Sequence, residues 1–339
     1  MTRGQTNSSY ATTATAYTSP SYAATPVTCV AVEAAPPADL ELGRLALRLR
    51  VADYAELVKP RIAAMALLTV MVGYTLGGGA WDPAAICRTL IGISLVAAAS
   101  GAFNQLIERR TDARMARTAN RPLPAGRLLP AEVALFGTSC AAVGLSVLFL
   151  TVNATTALLA ALTLFLYVGA YTPLKRYTAL CTVVGAVPGA LPAVLGWTAS
   201  GAELGWGAFA LFAILFVWQF PHFLAIAWLY RRDYHSAGLR MLPGGNETAE
   251  DRPRSVVGLL ACGYAAVLVP VSLLPGQLAL AGGAYRVAAL LLSLGYLAAA
   301  VRFVAHESRE TARGLLYSSL VYLPALLAVL TWDHLRLLS

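Results

Sequence analysis

Three oxygen-bearing side chains recur every four residues where the second apolar run of the chain ends. They are Asn104, Glu108 and Asp112, and they open the sequence NQLIERRTDARMARTANRPLPAG at residues 104–126. On an α-helix this spacing advances by about 40° per step and rises by roughly 6 Å, so the side chains lie on one slowly turning stripe. We call these three residues the oxygen stripe. Ionisable groups at membrane depth are costly and by default indicate function.

The oxygen stripe has the ligand chemistry of a hard metal ion. One amide and two carboxylates suit Mg²⁺ and not a soft metal, and Mg²⁺ usually completes its shell with waters and phosphate oxygens. Arginines that could hold those phosphates are interleaved with the stripe. They are Arg109, Arg110, Arg114, Arg117 and Arg121. The alternative is that Glu108 and Asp112 pair with these arginines at a solvated helix end.

Two later basic connections carry further candidates. The first reads YTPLKR, and its Lys175 and Arg176 are either topology anchors at a membrane boundary or, for Lys175, a point charge for a phosphate. The second begins WLYRRDYHSAGLRMLP. Its Asp233 is either a third metal ligand or the partner of Arg231 or Arg232.

His222 stands in WQFPHFLA, inside an apolar run. A histidine at that depth is costly unless it is satisfied, so it is either hydrogen-bonded across helices or lines a pocket. In a pocket it could hold a polar acceptor or ligate haem iron. The histidines and the five cysteines form no set with zinc spacing.

The elements that carry these residues are predicted to be membrane helices. Of the 339 residues, 58% are hydrophobic and 12% are charged, and the mean hydropathy is +0.64. These values exclude an ordinary soluble domain and indicate an all-α polytopic membrane protein. We count nine apolar runs, of which the fourth and the ninth are short. They cover residues 62–79, 88–107, 132–151, 155–171, 179–199, 207–229, 255–274, 279–301 and 315–331.

Charge fixes the predicted orientation of the nine runs. Lysines and arginines concentrate in alternate connections, so the positive-inside rule places the N-terminus and the long loops in the cytoplasm and the C-terminus outside. The net charge of +8 is explained by these connections, with no role for nucleic acid.

Residues 1–40 are rich in Ser, Thr, Ala, Tyr and Pro and are predicted to be a disordered tail. Residues 41–339 are predicted to form a single transmembrane domain.

Four motifs, all in the expected order, resemble the UbiA-type intramembrane prenyltransferases, and among them the haem O synthases (protohaem IX farnesyltransferases). They are KPRI at 59–62, residues 104–126 quoted above, YTPLKRYTALCTVVGAVPGALPAVLGW at 171–197 and WQFPHFLAIAWLYRRDYHSAGLRMLP at 218–243. The resemblance covers about residues 50–335. It implies nine helices around a central cavity, with metal-binding acids at the cytoplasmic mouth.

The resemblance also implies roles for individual residues. The family's first acid motif matches Asn104, Glu108 and Asp112, with Glu108 in place of the commoner aspartate. Asp233 matches the second acid motif, but Ala237 stands where that motif usually has a second aspartate. Haem O synthases typically share this departure. The implied Mg²⁺ ligands are Asn104, Glu108, Asp112 and Asp233, and the implied groups for diphosphate and acceptor are Lys175, Arg61, Arg117, Arg121, Tyr171, Arg176 and His222.

The activity implied by the resemblance is transfer of a farnesyl group from farnesyl diphosphate to the vinyl group of haem b, followed by water addition to give haem O. Haem b is then a substrate and not a permanent cofactor, and a haem A synthase is a potential partner. One alternative is a related prenyltransferase that acts on an aromatic quinone precursor. Another alternative is a membrane transporter. Two features argue against it: the acids gather at one rim, and the sequence shows no convincing inverted repeat. The tail has no convincing presequence, which favours a bacterial plasma membrane.

Overall fold

The computed structural model describes residues 38–79, 81–241 and 256–339. Of the predicted disordered tail, the described residues include only 38–40. Arg252 and Arg254, which end the basic connection that begins WLYRRDYHSAGLRMLP, also lie outside the described residues. Leu47–Ser339 form one compact unit.

All regular secondary structure in the described ranges is helical. The helices are α1 Ala38–Val58, α2 Pro60–Leu76, α3 Pro83–Asp112, α4 Pro130–Thr151, α5 Ala154–Phe165, α6 Thr172–Leu174, α7 Cys181–Ala199, α8 Trp206–Leu229, α9 Arg231–Ser236, α10 Val256–Gln277, α11 Gly283–Ala305 and α12 Arg309–Leu338. A π-helical segment, Leu166–Tyr171, joins α5 to α6.

Eight helical stretches in this part of the chain are long and apolar enough to cross a membrane, counting Ala154–Leu174 as one, and α2 is a shorter apolar helix of 17 residues. Each of the nine predicted runs corresponds to one of these elements. The ninth run lies within α12, which is longer than the run and has 30 residues. Its charged ends, with Arg309 and Arg313 at the start and Arg336 at the finish, continue the helix beyond the apolar run.

Helices α2 and α7 approach each other closely through two glycines. A Cβ atom added at Gly73 would overlap the Ala193 carbonyl oxygen, and one added at Gly196 would overlap the Val70 carbonyl oxygen. Small residues at such crossings allow the backbones to meet, as membrane helix packing requires. This contact holds α2, which begins beside the oxygen stripe, against the helix that follows Lys175.

We expect Gly196→Ala to reduce the free energy of unfolding by about 1–3 kcal/mol, because α2 and α7 must separate to admit the methyl group. Thermal unfolding of the purified protein in detergent measures the loss. The matched control is Gly295→Ala in α11, where an added Cβ has no atom within 4 Å. Equal melting temperatures for the two variants would contradict the close approach.

The largest apolar core lies among α2, α7, α8, α10, α11 and α12. Three buried tyrosines, Tyr285, Tyr296 and Tyr322, belong to it. Their hydroxyls are satisfied within the bundle: Tyr285 donates to the Ser272 carbonyl at 2.7 Å, and Tyr322 pairs with the Ser272 hydroxyl. Satisfied polar groups of this kind let a core hold tyrosines at membrane depth.

The junction between α1 and α2 is set by α3. Lys59, the residue between the two helices, adopts a left-handed conformation with φ 54°, and Pro60 then starts α2. The Gln105 side-chain amide donates to the Glu56 carbonyl at 3.1 Å at the end of α1. Gly101 packs against the Leu57 carbonyl oxygen, which would lie only 2.5 Å from a Cβ atom added at this glycine. The sharp turn therefore delivers the Lys59 side chain to the last turns of α3.

Candidate functional site

The oxygen stripe lies on the last three turns of α3 and is buried. Asn104 and Asp112 are each 1% exposed and Glu108 is 8% exposed. The helix ends at Asp112, where the Thr118 hydroxyl donates to the Asp112 carbonyl at 2.9 Å and closes the following turn. The predicted arrangement of the three side chains on one helical stripe is therefore observed.

Each member of the stripe accepts a hydrogen bond from a cation on a different segment of the chain. Lys59 Nζ donates to Asn104 Oδ1 at 2.9 Å, and Lys175 Nζ donates to Glu108 Oε1 at 2.8 Å. Arg121 donates to Asp112 Oδ2 at 2.7 Å. Buried charges persist only when they are paired in this way. The result is a buried set of three oxygen acceptors, each paired with a cation, at one end of the bundle.

Lys175 is positioned by the π-helical segment. The Thr172 hydroxyl donates to the Tyr167 carbonyl at 2.8 Å and accepts from Asn104 Nδ2 at 3.1 Å, which attaches the end of this segment to the stripe. The Lys175 ammonium lies 4.4 Å from the centre of the Tyr171 ring. Burial opposes the charge on this ammonium, but its electrostatic contacts with the Tyr171 ring and the Glu108 carboxylate raise the pKa of Lys175 above its ordinary value. Lys175 is therefore a protonated donor.

Of the other residues predicted to bind the diphosphate, one contacts the stripe and the rest lie around it. Arg121 joins the stripe directly. Arg176 donates to the Ile107 carbonyl and to the Thr111 hydroxyl, both at 3.3 Å, so it lies along α3. Arg117 is exposed and stacks 4.8 Å from the centre of the Tyr230 ring. Arg61 is exposed on the first turn of α2, and Lys59 is the residue of that motif that reaches the stripe.

The segment that carries Asp233 packs against the loop that follows the stripe. Met115 from that loop forms a small apolar cluster with Ala237 and Leu239. The Arg240 amide also donates to the Lys175 carbonyl at 2.9 Å. The three basic connections are thus brought together, as the charge pattern predicts. Asp233 lies half-buried on α9 within this assembly.

Ala237 is 5% exposed and touches Met115. An aspartate at this position would place a carboxylate in an apolar contact, which is costly for a charged group without a partner. Where the family's second acid motif usually has an aspartate, this chain thus has an alanine that packs in an apolar cluster.

His222 lies in α8, seven residues before the helix ends and so roughly 10 Å along the axis from that end. Its Nδ1 is 2.7 Å from the Ser319 hydroxyl oxygen, and its ring stacks on Trp218. The Ser319 hydroxyl donates its own proton to the Leu316 carbonyl. With the Ser319 proton on that carbonyl, Ser319 accepts from His222 Nδ1–H and the lone pair of the ring lies on Nε2.

The donor set of the stripe fits a magnesium ion. Two carboxylates and one amide are hard ligands, and Mg²⁺ takes one or two carboxylates together with waters and phosphate oxygens. Among the described residues, no three His, Cys, Asp or Glu side chains gather as a metal cluster. A Mg²⁺ ion on the three stripe ligands would complete its shell with waters or phosphate oxygens.

Sequence reasoning missed two members of the site, Lys59 and Thr172. Lys59 was part of the quoted KPRI motif, and a lysine directly before a proline at the start of an apolar helix was the available signal. Thr172 carried no such signal, because its role depends on the π-helical segment, which shifts the register of the backbone.

Comparison with known proteins assigns the chain to a family. Residues 66–327 match the model of the UbiA prenyltransferase family. The protoheme IX farnesyltransferase of Solibacter usitatus (strain Ellin6076) is 41% identical over 292 residues, which cover 83% of this chain and 98% of that protein. The protoheme IX farnesyltransferase of Myxococcus xanthus (strain DK1622) is 42% identical over 283 residues, which cover 83% and 94%.

Solved structures agree with this assignment at the level of the fold. A digeranylgeranylglyceryl phosphate synthase structure superposes with a TM-score of 0.68 at 16% identity, covering 84% of this chain and 99% of that one. A UbiA homologue from Archaeoglobus fulgidus bound to DMAPP and Mg²⁺ superposes with a TM-score of 0.54 at 17% identity, covering 82% and 99%. The chain is an integral membrane protein that belongs to the UbiA prenyltransferase family, and its curated relatives there are protoheme IX farnesyltransferases.

Proposed function

We propose that this chain is a protohaem IX farnesyltransferase, which transfers the farnesyl group of farnesyl diphosphate to the vinyl group of haem b and, with water, gives haem O. The observation that carries the proposal is the buried alternation of the three stripe oxygens with Lys59, Lys175 and Arg121. Such an arrangement offers both hard ligands for a divalent cation and donors for a diphosphate.

The choice of substrates is supported by the relatives. The matches that cover most of both chains at about 40% identity are protoheme IX farnesyltransferases. The structure of the Archaeoglobus fulgidus homologue contains DMAPP and Mg²⁺. The apolar farnesyl chain would lie among the membrane helices, with its diphosphate at the end of α3.

In the proposed reaction, Lys175 and Arg121 turn from the carboxylates towards the diphosphate and donate to its oxygens. Asn104, Glu108, Asp112 and Asp233 would hold Mg²⁺, which when bound supplies electrostatic stabilisation of the charge on the leaving group. The allylic C–O bond breaks and its electron pair leaves with the diphosphate. Preorganised donors for that developing charge are the main contribution of the protein.

The acceptor supplies the nucleophile in this proposal. The π electrons of the haem vinyl group form the new C–C bond to the allylic carbon, which leaves a cation on the vinyl carbon next to the porphyrin ring. Water adds to that cation and loses a proton, giving the hydroxyethylfarnesyl side chain. Exclusion of water before this step falls to the apolar helices that surround the site.

His222 is the proposed contact with the haem. Its Nδ1–H is held by Ser319, so Nε2 is the free lone pair and is suited to a metal or to a hydrogen-bond donor. Tyr171, Arg117, Arg176 and Arg61 are proposed to support the diphosphate end. Arg176 does so by fixing the end of α3, which its guanidinium contacts at Ile107 and Thr111.

We propose a bacterial plasma membrane as the location, with the N-terminus and the oxygen stripe on the cytoplasmic side and the C-terminus outside. The charge distribution between alternate connections supports this orientation. Cysteine labelling at residue 4 and at residue 339 from either side of intact cells tests it.

We propose that a haem A synthase partner receives haem O from this chain. Co-purification of the two proteins tests this partnership.

Metal removal is expected to abolish activity without unfolding the protein. Mg²⁺ is proposed to bind with the diphosphate, so EDTA should reduce haem O formation by at least about 100-fold and excess Mg²⁺ should restore it. The melting temperature should change by less than 2 °C or so, because Lys59, Lys175 and Arg121 already pair with the stripe. Full turnover in EDTA would contradict the metal assignment.

The direct test of the function is the mass of the haem in cells with and without the chain. A host that lacks haem O should gain a species heavier than haem b by one farnesyl group and one hydroxyl group. If the haem is unchanged and a quinone precursor carries the new prenyl chain instead, the activity belongs to the aromatic-acceptor class.

A further inference from the structure

Five arginines line two cavities at one end of the bundle, and neither cavity is lined by a residue of the oxygen stripe. Arg231, Arg232 and Arg309 line a cavity of about 360 Å³ beside the end of α8. Arg309 also lines a second cavity of about 760 Å³ together with Arg302 and Arg313. We call the second cavity the α11–α12 groove. None of its lining residues belongs to the oxygen stripe or to the cations that pair with it.

The groove runs from a basic end to an apolar one. Arg309, Arg313 and Tyr317 follow one another every four residues along α12, so they lie on one face of that helix. Ala298 and Gly314 are small residues of the walls, and they leave an open slot between α11 and α12. An added Cβ at Gly314 would have no atom within 4 Å.

Exposed apolar side chains lie next to the groove on α11 and on α12, further into the membrane-spanning part of these two helices. On α12 these are Leu320 and Val321, three and four residues beyond Tyr317, and both are at least half exposed. On α11 they are Leu291 and Leu294, seven and four residues before Ala298. The groove thus opens onto a surface suited to an acyl chain.

The described residues that line the groove carry a net positive charge. Glu310 is the acid among the lining residues, against three arginines. It lies 3.5 Å from Arg302, and both side chains are largely exposed, so this pair is weak. Arg309 and Arg313 leave an excess of positive charge at the point where the hairpin turns.

We propose that the α11–α12 groove binds an anionic phospholipid, with the headgroup phosphate on Arg309 and Arg313 and an acyl chain along the apolar face. Guanidinium groups form paired hydrogen bonds with phosphate oxygens. Basic pockets between membrane helices bind anionic headgroups for this reason. The proposal is independent of the enzymatic function, because it uses none of the residues assigned to it.

Native mass spectrometry of the full-length protein in detergent tests the proposal. Dioleoylphosphatidylglycerol, dioleoylphosphatidylcholine and inorganic phosphate are titrated separately. We expect phosphatidylglycerol to be retained at least tenfold more strongly than phosphatidylcholine. The double variant R309Q/R313Q should lose phosphatidylglycerol affinity on the order of tenfold or more. The matched control, R286Q at the other end of α11, should retain it.

A second variant tests the shape of the groove without altering its charge. Gly314→Leu fills the slot and should weaken phosphatidylglycerol binding, whereas Gly295→Leu, which also enters open space, should not. Equal retention of the two lipids, or unchanged binding by both R309Q/R313Q and Gly314→Leu, would overturn the proposal. Phosphate that binds as tightly as phosphatidylglycerol and depends on the same arginines would identify a free-anion site and also overturn it.

Discussion

Replacement of Asp112 by Asn is expected to lower haem O formation by a factor of about 10²–10³. The asparagine keeps the shape of the side chain and can still accept from Arg121, which now donates to Asp112 Oδ2 at 2.7 Å. It removes the negative charge that a divalent cation requires. Turnover is measured in membranes supplied with haem b, farnesyl diphosphate and Mg²⁺, normalised to the amount of folded protein.

Asp53→Asn is the matched control for this experiment. Asp53 is also a buried aspartate with an arginine partner, since Arg127 donates to its Oδ1 at 2.7 Å. It lies on α1, and its partner Arg127 is not one of the cations that pair with the stripe. Its replacement should leave turnover within about twofold of the parent. If both variants lose activity equally, the effect of Asp112 is structural and the assignment of Asp112 as a metal ligand fails.

The second large effect is expected at the pair formed by Lys175 and Glu108. Their side chains are 12% and 11% exposed and meet at 2.8 Å. Removing one partner leaves the other charge buried and unpaired, which costs about 3–5 kcal/mol. Lys175→Met should therefore lower both the melting temperature and the activity.

The double variant E108Q/K175M separates the structural role of the pair from its chemical role. It leaves no buried charge at this position, so we expect the melting temperature to recover most of the loss seen in Lys175→Met. Activity should stay at least about 100-fold below the parent, because both a proposed metal ligand and a proposed diphosphate donor are absent. An active double variant would show that the pair serves folding alone.

The sequence was sufficient to predict the membrane helices and the stripe, because both depend on local patterns. Apolar runs define the helices, and the four-residue spacing of Asn104, Glu108 and Asp112 places them on one face. Alternation of charge then predicted that Lys175 lies at the same end of the bundle. The contact of Lys175 with Glu108 at 2.8 Å confirms that proximity.

The parts that could not be predicted depend on contacts between distant segments. Lys59 reaches Asn104 because α1 and α2 meet at a left-handed residue whose geometry is imposed by Gly101 and Gln105 of α3. The full length of α12 could not be predicted, because an apolar run does not record how far a helix continues beyond it. The packing of Ala237 against Met115 likewise joins residues more than a hundred positions apart.

The central claim is that the acids and cations at the end of α3 cleave a prenyl diphosphate for transfer to haem. The most direct measurement uses the purified full-length chain in lipid nanodiscs with haem b, farnesyl diphosphate and Mg²⁺, and follows haem mass and diphosphate release together. We predict one diphosphate released for each haem O formed, and neither product when Mg²⁺ or haem b is omitted. Diphosphate release without any change in the haem, or no release with all components present, would contradict the account.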